Sequence, residues 1–180
     1  GNVLKAQGKL EEAVACYRQA LALKPDYAEA YSHLGLVLQA QGRLDEAAGC
    51  HRQALALKPD YAEAHSNLGN ALKEQGKLDQ AVACYRQALA LKPAFADACY
   101  NLGIALAAQG RAKDAEACYQ QALALSTDFA EACNNLGVLL QEQGRVEDAV
   151  GCFRQALAIR PGYAEADNQL MHQLQHLCEW

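Results

Sequence analysis

Proline and glycine recur in this chain on one fixed spacing. Pro25, Pro59 and Pro93 are 34 residues apart, and Pro161 follows after 68, twice that step, with Thr127 at the skipped place. Gly8, Gly42, Gly76, Gly110 and Gly144 keep the same step, as do Gly1, Gly35, Gly69, Gly103 and Gly137. Only Gly49, Gly151 and Gly162 stand outside the two series. Proline and glycine punctuate secondary structure, so this period predicts stacked copies of one small unit rather than a single globular core.

One period, Ala28–Tyr61, reads as two helices. The first runs over Ala28–Ala40, with small or apolar Ala30, Leu34, Gly35 and Leu38 on one face, and Gly42 stops it. The second runs over about Asp45–Lys58, with Ala47, Cys50, Ala54, Leu55 and Leu57 packed. Asp45 and Glu46 in its first turn and Lys58 in its last suit the helix dipole, and Pro59 ends it. Asp60 and Glu63 have the spacing of a capping box for the next helix. Gly35, Ala47 and Ala54 permit close backbone approach. Abundant Ala, Leu and Gln favour helix, and a 52% hydrophobic content excludes disorder. The fold class is therefore all-α, built of stacked antiparallel helix pairs.

Several functions are disfavoured. The net charge of −5 argues against a nucleic-acid or anionic-membrane surface. No apolar run approaches the roughly 20 residues of a membrane span, and no segment resembles a signal peptide. Cys16, Cys50, Cys84, Cys118 and Cys152 share one repeat position, Cys99 and Cys133 another, and Cys178 lies near the end. Neighbouring helix axes about 8–10 Å apart put equivalent cysteines beyond disulfide reach. Without a Cys-x-x-Cys they read as small buried residues in a reducing cytoplasm, not a zinc site. His172 and His176 have zincin-like spacing, but Gln173 replaces the general-base Glu and no third ligand is evident. His33, His51 and His65 read as packing residues. There is no phosphate loop, nucleophile elbow or carboxylate pair. The expectation is a non-enzyme with no cofactor and no metal.

The pattern resembles the tetratricopeptide repeat (TPR). In the unit beginning at Ala62 the matching residues are Leu68, Gly69, Gly76, Ala81, Tyr85, Ala88 and Pro93. The place usually held by Trp carries Tyr31, His65, Cys99, Cys133 and Asp167, which implies thinner packing. The divisions are a partial repeat 1–27, full repeats 28–61, 62–95, 96–129 and 130–163, and a capping or linking helix 164–180. The resemblance implies a right-handed superhelix of about 11 helices whose first helices line a concave groove. The chain reads as a piece of something longer. Leu170, Leu174 and Leu177 of the last helix are expected to pack inward, while Gln169, Gln173 and Gln175 are polar. The uncapped first end offers a face for self-association.

In related proteins such a groove binds an extended peptide or partner helix, so the expected partner is protein, with no nucleic acid and no membrane. The groove candidates are His33, Asn67, Asn70, Lys73, Tyr100, Asn101, Asn134, Asn135 and Gln169. Glu63 and Ser66 join the same polar helix face. A carboxylate-clamping groove is disfavoured, because Lys5 and Lys73 stand isolated among Ser, Asn and Gln. Asn-Leu-Gly at Asn67–Gly69, Asn101–Gly103 and Asn135–Gly137, CYRQALALKP at Cys84–Pro93 and HQLQHLCEW at His172–Trp180 resemble the repeat arm of O-GlcNAc transferase and its SPINDLY-type relatives. That resemblance implies a substrate-recruiting arm, with any catalytic domain after Trp180. It also implies that Asn67, Asn101 and Asn135 grip peptide backbone through their carboxamides, with His33 and Gln169 in the flanking places. Glu74, Asp97, Glu131 and Glu142 would favour basic segments. The alternative is a stand-alone adaptor, and the alternative role of each Asn is to bond neighbouring helices and fix their stacking.

Overall fold

A computed structural model describes the backbone of residues 2–178 and the side chains of residues 8–173. Ten helices follow one another among these residues: α1 (Asn2–Leu23), α2 (Ala28–Ala40), α3 (Leu44–Leu57), α4 (Ala62–Glu74), α5 (Leu78–Leu91), α6 (Ala96–Ala108), α7 (Ala112–Leu125), α8 (Ala130–Glu142), α9 (Val146–Ile159) and α10 (Ala164–Cys178). The chain divides into two compact units, residues 1–93 with α1–α5 and residues 94–180 with α6–α10.

Each repeat is a hairpin of a 13-residue and a 14-residue helix. Gly42 closes the first with φ +75°, where a β-carbon is costly. Its N–H reaches the Gln39 carbonyl at 2.8 Å, and the Arg43 N–H reaches Leu38 at 2.9 Å, the paired bonds of a Schellman motif. The same residues repeat at Gly76, Gly110 and Gly144. In the first unit α2 packs on α3 and α4 on α5, while α1 meets α2 and α3 meets α4. Leu38, His51, Leu72 and Tyr85 are fully buried there. In the second unit α6 packs on α7 and α8 on α9, α7 meets α8, and α9 meets α10. Its core holds Cys99, Leu106, Cys133 and Phe153, and Ala166 docks α10 against Cys133 and Ala156.

Several expectations change. The partial first repeat is one unbroken helix through Gly8, which leaves ten helices where about 11 were expected. Asp60 does not cap α4. Its N-cap is Tyr61, without a side-chain bond, and Lys58 Nζ lies 4.8 Å from the Tyr61 ring centroid. Glu63 instead accepts Lys92 Nζ at 2.9 Å. Glu29–Lys58 and Glu131–Arg160 repeat that bridge between the start and end of a hairpin, at 3.2 and 2.6 Å. Cys99 and Cys133 are buried, but Cys50, Cys84, Cys118 and Cys152 are half-buried and Cys16 is exposed. On α10, Leu170 is half-buried and Gln169 half-buried, while Gln173 turns inward, 5% exposed. The side chains of Lys5, Leu174, Gln175, His176, Leu177 and Cys178 lie outside the described residues, as does any structure for Gly1, Glu179 and Trp180.

Candidate functional site

The glycine of each Leu-Gly pair places a second-helix ring beside the first helix. A β-carbon at Gly69 would stand 2.6 Å from the Tyr85 ring, and one at Gly103 would stand 2.6 Å from Tyr119. His51 and Phe153 fill the equivalent places at Gly35 and Gly137. The missing side chain lets the ring cross the helix pair, so a tyrosine hydroxyl there reaches polar residues of a first helix. Tyr85 Oη donates to Asn70 Oδ1 at 2.7 Å. Tyr119 lies 6.0 Å from Tyr100, ring centre to centre. Burial raises its pKa well above that of a free phenol, and Tyr100 and Glu142 push the same way against the opposing Asn135 hydrogen bond.

The asparagines bond backwards to the preceding first helix. Asn67 Nδ2 on α4 donates to Ser32 Oγ on α2 at 3.4 Å. Asn135 Nδ2 on α8 donates to Tyr100 Oη on α6 at 3.1 Å. Both spans are 35 residues, so one chemistry recurs in both units. Asn134 is buried at 7% exposure, donates to Asn135 Oδ1 at 3.4 Å and leaves its own Oδ1 without a partner. The second unit thus joins Asn134, Asn135 and Tyr100 in one chain, with the Tyr100 ring 4.6 Å from Phe129.

The other candidates are scattered over the same helices. His33 is exposed on α2 and stacks on Tyr17 at 5.9 Å. Asn101 and Gln169 are half-buried on α6 and α10. Lys73 is half-buried on α4, and burial lowers its pKa against the opposing charge of Glu74. Ser66 is buried rather than open to a groove. Of the acids, Glu74 accepts Gln39 Nε2 at 2.6 Å and Glu131 accepts Arg160 at 2.6 Å. Asp97 and Glu142 are exposed and make no hydrogen bond or ion pair among the described residues. A pocket of about 180 Å³ in the second unit is lined by Ala107, Tyr119, Asn135, Val138, Leu139 and Glu142.

Tyr119 and Ala107 were not singled out in the sequence. Phe153 shows that packing at the Tyr119 place needs no hydroxyl, which was the available signal. Ala107 falls in a column otherwise held by Gln39, Lys73 and Gln141. His172 is exposed, and no group of three His, Cys, Asp or Glu among the described residues could hold a metal. No described helix is long and apolar enough to cross a membrane.

The family model described as TPR repeat matches residues 1–42, 38–76 and 69–110, and that described as Tetratricopeptide repeat matches residues 96–162. Among solved structures, MamA is 25% identical with a TM-score of 0.79, covering 89% of this chain and 94% of its own. YrrB, described as a TPR protein with an unusual peptide-binding site, is 25% identical with a TM-score of 0.74, over 93% of this chain and 86% of its own. PilF of Pseudomonas aeruginosa shares the fold at 21% identity, with a TM-score of 0.86 over 96% of this chain and 78% of its own. No curated protein matches the chain.

Proposed function

We propose that this chain, which belongs to the tetratricopeptide repeat family, is a protein-interaction scaffold that holds an extended peptide on the first-helix face of each unit. The observation that carries this reading is the carboxamide fixed by the preceding first helix, Asn67 by Ser32 and Asn135 by Tyr100. A carboxamide has two N–H donors and an acceptor oxygen. At Asn67 the bond to Ser32 occupies one donor, and Oδ1 accepts nothing among the described residues. A second donor beside a free acceptor matches the C=O and N–H of an extended backbone. A side chain already locked by its neighbour loses less entropy on binding. Such pairing ignores peptide side chains, so selectivity is broad. The peptide-binding site named for YrrB supports the same use of this fold.

The test is the triple substitution Asn67→Ala, Asn101→Ala and Asn135→Ala, titrated with a peptide selected from a random 12-residue library. Binding should weaken several-fold or more while helicity stays intact and melting falls only a little, since each half-buried bond contributes roughly 1 kcal/mol. Unfolding of the variant with unchanged affinity in its folded fraction would instead assign the asparagines to stacking alone.

The finer reading is that the scaffold is the substrate-recruiting arm of an O-GlcNAc transferase-like glycosyltransferase. The three Asn-Leu-Gly strings support it. Reading the parent gene beyond Trp180 tests it: a glycosyltransferase domain is expected there, and a stop codon soon after Trp180 would leave the adaptor reading. The same proposal puts the chain in the reducing cytoplasm, where its half-buried thiols remain free.

A further inference from the structure

We propose that the pocket on the second unit is a subsite for the ammonium group of a lysine side chain in the bound peptide. The proposal rests on the peptide-binding reading and adds a side-chain preference to it. The sequence shortens one side chain to make the pocket. In the first unit the end of α2 and the end of α4 are joined by Gln39 Nε2 and Glu74 Oε1 at 2.6 Å. The equivalent residues 68 positions later are Ala107 and Glu142. Alanine cannot reach across, so Glu142 keeps its charge without a hydrogen bond or ion pair among the described residues, and about 180 Å³ opens between α6 and α8.

The lining suits a chain with an apolar stem and a cationic tip. Val138 and Leu139 supply an apolar wall for methylenes, and Glu142 supplies the counter-charge. The Tyr119 hydroxyl and the Asn135 carboxamide add polar atoms at the same pocket. Long basic side chains bury their stems and keep the charge at the tip. The compact ammonium of lysine on its flexible four-carbon stem suits a pocket of about 180 Å³ with one carboxylate at its edge. Asn135 lines this pocket and shares its repeat position with Asn67, so a lysine seated here lies beside the column proposed to hold the peptide backbone.

The probes are two 12-residue peptides that differ only at one central residue, lysine in one and norleucine in the other, titrated by calorimetry at low salt. The lysine peptide should bind about 2–5-fold tighter, the range of an exposed ion pair, and the advantage should shrink in high salt. Glu142→Gln should abolish the difference between the two peptides. Ala107→Gln, which restores the Gln39-type partner and fills the pocket, should abolish it too. Both residues lie in the last turn of their helices, and circular dichroism checks that both variants fold. Equal binding of the two peptides to the wild type would overturn the subsite while leaving the backbone reading standing, as would a lysine preference that survives Glu142→Gln. Failure of both peptides to bind, when the library-selected peptide also fails, would overturn the two readings together.

Discussion

His51 is the residue at odds with its place. It fills the ring position held by Tyr85, Tyr119 and Phe153, is fully buried, and neither ring nitrogen finds a partner among the described residues. Burial pushes its pKa down to about 4. In the unfolded chain a histidine titrates near 6.5, so the unfolded state binds more protons between those values. The stability tied to a neutral His51 is therefore complete above pH 6.5 and falls as pH drops towards 4, by about 3 kcal/mol at most. His51→Phe should flatten that part of the pH–stability curve and raise stability at pH 5 by roughly 1–3 kcal/mol, as read by urea denaturation. An unchanged pH profile would mean that the ring nitrogens meet water. Two glycines behave oppositely on the same physics. Gly49→Ala meets open space within α3 and should stabilise by up to about 1 kcal/mol, whereas Gly69→Ala meets the Tyr85 ring at 2.6 Å and should destabilise by about 1–3 kcal/mol. The sequence made the small column at 35, 69, 103 and 137 legible. It did not show the burial of Asn134 or Gln173, because helical periodicity assigns a side and not a depth.

At the scale of the element, period and punctuation were enough to place the helix pairs. The bounds of α2 follow from Gly42 to the residue, and α3 starts one residue before the Asp45 expected from charge. Capping was misread because an acid at the right spacing is only one way to satisfy a helix start. Here aromatic Tyr61 sits at the N-cap and the acid serves a bridge to Lys92. Ala88, with no exposed surface, lies where α5 packs. Ala88→Trp should overpack that contact, cost about 1–3 kcal/mol or more and lower the thermal midpoint. Deleting residues 28–61 in frame removes a whole unit without a clash and should be milder. A harmless Ala88→Trp in thermal denaturation would contradict the helix contact itself.

For the whole molecule, a repeating hairpin exposes one kind of surface many times, and function lies in how the copies differ. The net charge of −5, with Asp97 and Glu142 making no ion pair among the described residues, is the basis for proposing that this surface takes basic segments. Asp97 has lost the bridge its counterparts make because Ser126 stands where Lys58, Lys92 and Arg160 serve the other hairpins, and Ser126 bonds Asp128 at 2.7 Å. The asparagine column was legible as a spacing, but its bonds to Ser32 and Tyr100 depend on how hairpins stack, which no single-chain pattern records. Purification without reductant followed by alkylation in denaturant should label all eight cysteines. A disulfide would contradict the cytoplasmic placement. The most direct measurement of the central claim is a nitrogen-15 NMR titration with the library-selected peptide, following side-chain amides. The account predicts that the carboxamide signals of Asn67, Asn101 and Asn135 shift together with saturation, while those of Gln53, Gln87 and Gln121 on the second helices stay still. Shifts confined to the second-helix glutamines would contradict it.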